Sequence, residues 1–206
     1  MVKGSFKEVF SMIRMRQSLF WFISFFYFLL VCLFFGLFIL AKFSLVYANI
    51  LKALQFFLLY LVSYILLHYF IEKEPLYHCI KTHIVRSFCY ASIKFFLIAF
   101  FLQCIRFFVS HFWLCVCMLF FTFVVHIFFL FLEPALISVD KSFVQSFSRS
   151  FMAFLKAPLI SFGVFVFVIF LRLLALYSFF IFPTWFFADV FLYVIYRNIL
   201  KLEIKN

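Results

Sequence analysis

The sequence predicts an all-α membrane protein: a polytopic bundle of about six transmembrane helices, with amphipathic helices lying in the plane of the membrane. Composition is the first reason, because 69% of the 206 residues are hydrophobic and only 12% are charged. A soluble domain has roughly half its residues apolar and about a quarter charged. The second reason is pattern: six stretches are long and apolar enough to cross a ~30 Å hydrocarbon layer as helices.

The predicted spans are separated by short connections. They run from Ser18 to Ala41, Ala53 to Ile71, Ser87 to Ile105, Phe107 to Leu132, Pro158 to Ile181 and Thr184 to Leu200. The first is much longer than the 7 to 15 apolar residues of a signal peptide, which favours a retained span. A Lys or Arg at mid-span costs about 2.5 to 3.5 kcal/mol, and each Phe, Leu or Ile returns roughly 0.3 to 0.6. The apolar majority therefore still favours insertion of spans that hold a charge.

The positions of the basic residues predict the orientation. Most of the 18 Lys and Arg residues fall on one side of the predicted membrane. They are Lys3, Lys7, Arg14, Arg16, Lys73, Lys81, Arg86, Lys141, Arg149, Lys156, Arg197, Lys201 and Lys205. Only Lys42, Lys52 and Arg106 fall on the other side. The positive-inside rule then places both termini in the cytoplasm, in an inner (cytoplasmic) membrane.

A four-residue Ser-Phe repeat, SFVQSFSRSF, predicts an amphipathic helix between the fourth and fifth spans. Phe143, Phe147, Phe151 and Phe154 share one arc of the helical wheel, while Lys141, Arg149 and most of the serines fall outside it. Asp140 is the predicted N-cap, and Pro158 marks the passage into the next span. Too short and too polar to span, the helix is expected to lie at the cytoplasmic surface with its phenylalanines in lipid.

Two other segments show a similar pattern. Near the N-terminus, Ser5 and Glu8 match a capping box, and Phe6, Val9 and Phe10 share a face. A weaker version, PLYHCIKTHIVRSF, precedes the third span. The chain is thus expected to be a single membrane domain, residues 1–206, with pseudo-repeats 1–71, 72–132 and 133–206, each an in-plane helix followed by two spans.

In residues 133–158, a Pro near the end of one span leads to an acidic loop, an amphipathic helix with a Ser before a bulky residue, and another span. Pro134, Asp140, Ser150 and Phe151 hold those places. The pattern resembles uncharacterised bacterial six-span proteins related to the membrane domain of some glycerophosphodiester phosphodiesterases. That resemblance implies a multipass membrane protein of unassigned activity. Phosphodiesterase activity is not implied, because no such catalytic domain is present.

Four polar side chains lie inside predicted spans. Arg172 and Asp189 are at similar depth on the fifth and sixth spans, so they are expected to be able to meet across that hairpin. Such a pair is either a substrate or proton site or a structural ion pair, and the sequence favours the latter because no further relay is evident. Lys94 and His126 lack an obvious acidic partner, which favours a packing or snorkelling role.

The remaining polar residues predict no chemistry. His78, Cys79 and His83 are too few for a zinc site of firm spacing, so no metal is expected. Glu133 is assigned to an exposed loop, where it ends a span. No phosphate-binding loop, nucleophile elbow or His-Glu-x-x-His motif is present, which argues against an enzyme, and no cofactor is implied.

The function expected from sequence is therefore non-enzymatic. The preferred hypothesis is a structural or interaction protein that uses a basic, Phe-rich cytoplasmic surface. Its partners would be the lipid bilayer, with anionic lipids favoured by the cations, and unidentified proteins. Nucleic acid is excluded, because the net charge of +11 follows the membrane topology. The alternative is a small permease or transporter subunit that uses Arg172 and Asp189 as a polar pair.

Overall fold

In the computed structural model, all regular secondary structure in the described part of the chain is α-helical. The structure describes residues 2–40, 45–72, 75–107, 129–137, 142–177 and 183–204, together with residues 113, 116, 120, 124, 125 and 127. The helices are α1 (Val2–Met15), α2 (Gln17–Leu40), α3 (Leu45–Glu72), α4 (Leu76–Phe107), α5 (Leu132–Ile137), α6 (Phe143–Lys156), α7 (Pro158–Tyr177) and α8 (Pro183–Ile204). The all-α prediction is confirmed for these residues.

Helix α8 lies at the centre of the bundle. It packs against α1, α2, α3, α5, α6 and α7. Most of its residues between Trp185 and Ile199 are buried, on every side of the helix. A helix that is apolar all round is expected to be an interior helix, and α8 fits that rule from Trp185 to Tyr196 except at one buried acid, Asp189.

Two amphipathic helices each turn sharply into an apolar helix. The bend between α1 and α2 is 93° and that between α6 and α7 is 108°. At the first break, Arg16 N–H donates to Ile13 O at 3.1 Å, which tightens the last turn of α1. At the second, Pro158 begins α7, since proline has no N–H to continue the ladder of α6. The predicted helix at 143–156 is present, and its N-cap is Ser142, whose side chain accepts from Gln145 N–H.

The third predicted amphipathic helix is wrong as a separate element. Residues 76 to 107 form one unbroken helix, α4, of 32 residues. No proline or glycine interrupts this stretch, so nothing in the backbone forces a break where the polar pattern gives way to the apolar one.

The buried face of α6 also differs from the expectation. Ser146, Ser150 and Ala153 are the buried residues of this helix, although the helical pattern predicts Ser146 on its polar face. Val144, Met152 and Leu155 are about half exposed or more. Small side chains at spacings of four and three let α6 approach its neighbours closely, which explains why they face the bundle. Of the phenylalanines, Phe147 stays partly exposed and packs against Phe129.

In α1, the predicted capping box is also wrong. The helix already begins at Val2, so Ser5 and Glu8 lie within it. Their side chains instead accept hydrogen bonds from Asn198 Nδ2, each at 3.0 Å. Glu8 also pairs with Arg197, so two polar residues of α8 fix the position of α1.

Within the described residues, no single helix has both the length and the hydropathy needed to cross a membrane. Two bent pairs satisfy the criterion only when their halves are taken together: Gly4–Met15 with Gln17–Leu33, and Phe143–Lys156 with Pro158–Arg172.

Candidate functional site: a buried charged cluster

Five helices contribute polar side chains to one buried cluster beside the middle of the bundle. Ser63 comes from α3, Tyr90 and Lys94 from α4, Glu133 from α5, Arg172 from α7 and Asp189 from α8. Every member except Arg172 is at most 6% exposed. We call these six residues the charged cluster.

Arg172 binds both acids. Its Nη2 lies 2.6 Å from Asp189 Oδ1 and 3.8 Å from Glu133 Oε2. The two side chains predicted to face each other across the α7–α8 hairpin are therefore in direct contact. A second hydrogen bond ties the same hairpin, from Thr184 Oγ1 to Leu171 O at 3.0 Å.

Ser63 stands between the two carboxylates. Its Oγ lies 3.3 Å from Glu133 Oε1 and forms a short hydrogen bond with Asp189 Oδ2. A serine hydroxyl has a single proton to donate. Ser63 can therefore donate to only one of the two carboxylates at a time.

Glu133 has a donor of its own. The Tyr90 hydroxyl donates to Glu133 Oε2 at 2.6 Å, within the range of a short, charge-assisted bond. This contact links α4 to α5, and Ser63 links α3 to both α5 and α8. Glu133 thus joins three other helices through Ser63, Tyr90 and Arg172.

Lys94 is the second cation of the cluster. Its Nζ donates to Phe129 O at 3.3 Å and lies 5.8 Å from the centre of the Tyr90 ring. It is close enough to Glu133 and Asp189 for a Coulomb interaction. The cluster therefore holds two acids and two bases, and its formal charge is balanced.

Aromatic rings enclose the cationic side. The Arg172 guanidinium lies 5.3 Å from the ring centres of both Tyr60 and Trp185, a distance at which a cation is attracted to a π face. A groove of about 370 Å³ lies elsewhere, between α1, α7 and α8, and is lined by apolar residues such as Phe6 and Phe191. No member of the charged cluster lines that groove.

Sequence reasoning placed one of these residues wrongly. Glu133 was assigned to an exposed loop, but it is 1% exposed and lies at the centre of the cluster. It lies in the first turn of the short helix α5, which is buried at every position. Helix α5 packs against α4, α6 and α8, so its first turn cannot face solvent.

Other predicted residues are placed as follows. His126, Lys141 and Asp140 lie outside the described residues. His78 is exposed, whereas His83 is buried and faces His68.

A helical pattern in the sequence could have revealed the polar side of α4. Its buried positions include Cys79, His83, Ser87, Tyr90 and Lys94, spaced by three or four residues. That spacing marks one face of a helix. In an otherwise apolar chain, a polar stripe of this kind indicates the side that faces protein, because lipid offers those groups no partner.

Comparison with family models, with curated proteins and with solved structures finds no match to this chain. The geometry of the cluster is therefore the basis for inferring function. Two carboxylates that share one hydroxyl, next to an arginine and a lysine, can hold and exchange a proton. They can equally lock five helices together.

Proposed function

We propose that this chain is a multipass integral membrane protein of about six spans. The support is an inverted distribution of polarity. Large apolar side chains on the outer faces of α2 and α7, such as Phe22 and Phe170, are more than half exposed. The charged cluster is buried. In water the apolar faces would be costly to expose and the acids to bury, whereas a hydrocarbon solvent favours this arrangement.

The proposed orientation places both termini on the cytoplasmic side of a bacterial inner membrane, following the positive-inside rule. Helices α1 and α6 then lie at the cytoplasmic surface, since each meets its apolar partner at about a right angle. A cysteine at position 145 should react with a membrane-impermeant reagent added from the cytoplasmic side, and one at position 147 should be shielded by lipid. Equal labelling at both positions would contradict an in-plane α6.

We propose further that the protein works as a small permease whose transported ion is a proton, held between Glu133 and Asp189. One observation carries this proposal: the single Ser63 hydroxyl faces both carboxylates. A proton on either carboxyl lets that group donate to the Ser63 oxygen while the Ser63 hydroxyl donates to the other carboxylate. Two close carboxylates that share one proton are a recurring proton-binding arrangement.

The composition of the cluster supports the permease. The interpretation of Arg172 and Asp189 as a structural ion pair depended on the absence of a further relay. A second acid, a second base and two hydroxyl groups now surround them. Buried ionisable groups are expensive in a membrane, so four of them together favour a functional role.

The test is proton flux into proteoliposomes that contain the purified full-length protein and a trapped pH-sensitive dye. With an imposed pH gradient, the wild type should collapse the gradient faster than empty vesicles. Glu133→Gln and Asp189→Asn keep the side-chain shape and remove the titratable group, so both should reduce flux to the level of empty vesicles.

The matched control is Glu8→Gln, the same change at a carboxylate outside the charged cluster. It should leave the flux unchanged. Equal flux in the wild type and in both cluster variants, at equal protein incorporation, would contradict the proposal.

The second candidate is a structural or interaction protein without transport. The specific observation in its favour is the enclosure of Arg172 by the Tyr60 and Trp185 rings. In that case the cluster only locks the helices. Wild-type protein should then give no flux above that of empty vesicles, and Asp189→Asn should lower only the amount of folded protein in the membrane.

A further inference from the structure

A second group of polar residues lies at the end of the α3–α4 hairpin. His68 and Glu72 are one turn apart in the last turns of α3, and His83 faces them from α4. One ligand atom from each of the three residues can be chosen so that all lie within 4.8 Å of one another. None of these residues belongs to the charged cluster.

The two imidazoles are in close contact. The ring centres of His68 and His83 are 3.7 Å apart, and both residues are at most 4% exposed. Two imidazolium cations so close together and away from water would repel each other strongly. At least one ring is therefore neutral, and a neutral imidazole is the form that binds metal ions.

We propose that His68, Glu72 and His83 form a binding site for a divalent transition-metal ion, with Zn²⁺ as its preferred occupant. Two histidines and one carboxylate are a known zinc ligand set, and they leave the fourth position open. The i, i+4 spacing of His68 and Glu72 places both ligands on the same face of α3.

The distances are compatible with this ion. Zinc–nitrogen bonds of about 2.0 to 2.1 Å place two ligand atoms of a tetrahedral site roughly 3.3 Å apart. His68 Nδ1 and Glu72 Oε2 are 3.5 Å apart, close to that separation. The ligand atoms all lie within 4.8 Å of one another, so the third ligand needs a shift of about 1.5 Å or less, which side-chain rotations provide.

Access to the site is also present. The Glu72 side chain is 39% exposed, so an ion can reach the carboxylate from solvent before it meets the buried imidazoles. This inference does not depend on the proposed permease activity, because the three ligands are distinct from the residues of the charged cluster.

The test is Zn²⁺ binding to the full-length protein in detergent, after removal of metal with a chelator. A competing chromophoric chelator reports the affinity and the number of ions bound per chain. The wild type should bind one Zn²⁺. Loss of a residue that only hydrogen-bonds a metal ligand weakens metal binding about 10- to 100-fold. His68→Ala and His83→Ala remove a ligand itself, so each should weaken Zn²⁺ binding by at least that factor. Mg²⁺, which prefers oxygen ligands, should not compete.

The matched control is His78→Ala, which removes an exposed histidine from the same helix. It should bind Zn²⁺ like the wild type. Glu72→Ala should also weaken Zn²⁺ binding. Because Glu72 is exposed, this variant keeps the test decisive if His68→Ala and His83→Ala, which change buried residues, fail to fold. The proposal would be overturned if the wild type bound no Zn²⁺. It would also be overturned if His78→Ala lost as much Zn²⁺ affinity as Glu72→Ala.

A melting experiment separates this result from the permease test. Zn²⁺ should raise the melting temperature of the wild type and of His78→Ala, because an ion that binds only the folded state stabilises it. An equal Zn²⁺-dependent rise in the melting temperature of Glu72→Ala would overturn the proposed site. Glu133→Gln should keep the Zn²⁺-dependent shift even though it is expected to lose proton flux.

Discussion

Arg172 and Arg197 each take part in an arginine–carboxylate contact that fixes α8, but at different depths. Arg172 of α7 binds Asp189, and the two side chains are 13% and 0% exposed. Arg197 of α8 binds Glu8 of α1, and these side chains are 37% and 29% exposed. The chemistry is the same, and the surroundings are not.

This difference in exposure determines how much stability the protein loses when one partner of the contact is removed. Removing one partner of a buried ion pair leaves an uncompensated charge, which costs about 3 to 5 kcal/mol. An exposed pair contributes a median of only about 0 to 1 kcal/mol, because solvent replaces the lost partner. The inner contact is therefore expected to be intolerant of single changes, and the outer contact tolerant of them.

The largest effect is expected from Arg172→Met. It leaves Glu133 and Asp189 facing each other without their contacting cation, so the free energy of unfolding should fall by about 3 to 5 kcal/mol. Denaturant titration in detergent micelles measures it. The double variant Arg172→Met with Asp189→Asn should recover part of the loss, which a double-mutant cycle would report as coupling. Additive losses would mean that the two residues do not support each other.

A smaller loss of stability is expected from Tyr90→Phe. This change removes one donor to Glu133 and keeps the ring, and hydrogen bonds to charged groups contribute about 1.5 to 3 kcal/mol. Tyr77→Phe is the control, since Tyr77 is exposed on the same helix. Equal melting temperatures for the two variants would show that the Tyr90–Glu133 bond does not stabilise the cluster.

The outer contact should respond weakly. Arg197→Gln is expected to lower the free energy of unfolding by no more than about 1 kcal/mol, because both side chains are partly solvated. The same titration measures it. A loss as large as that of Arg172→Met would abolish the distinction between the two sites.

Changing the salt concentration should have the smallest effect on stability, and it should distinguish the two arginine–carboxylate contacts most clearly. At 1 M ionic strength the Debye length is about 3 Å, so exposed charges are screened and buried ones much less. The difference in stability between wild type and Arg197→Gln should shrink between low and high salt. The difference for Arg172→Met should stay constant, and a parallel decrease would indicate that solvent reaches the charged cluster.

The helices and one contact of the cluster could be predicted from sequence. Long apolar runs predicted the positions of most helices, and Arg172 and Asp189 are only 17 residues apart across one hairpin. Their meeting follows from helix length and a short turn. The remaining contacts join distant parts of the chain: Ser63 lies 70 residues from Glu133 and 126 residues from Asp189. Pattern in a single sequence does not specify which helices become neighbours.

The faces of the amphipathic helices were harder to predict. In α6 the phenylalanine arc and the polar arc are evident in the sequence, but the pattern does not show that Ser146, Ser150 and Ala153 face the bundle. The reason is physical. Small side chains carry little hydrophobic signal in a sequence, yet they allow helices to approach each other closely.

The unbroken length of α4 has one more consequence. At 1.5 Å per residue its 32 residues extend about 48 Å, well beyond a ~30 Å hydrocarbon layer. His83 and Lys94 are eleven residues apart on this rod, three helical turns on the same side. Because α4 is unbroken between them, a tilt of the helix that displaces His83 also displaces Lys94, about 16 Å away along its axis. One continuous helix thus connects the histidines at the hairpin to the charged cluster.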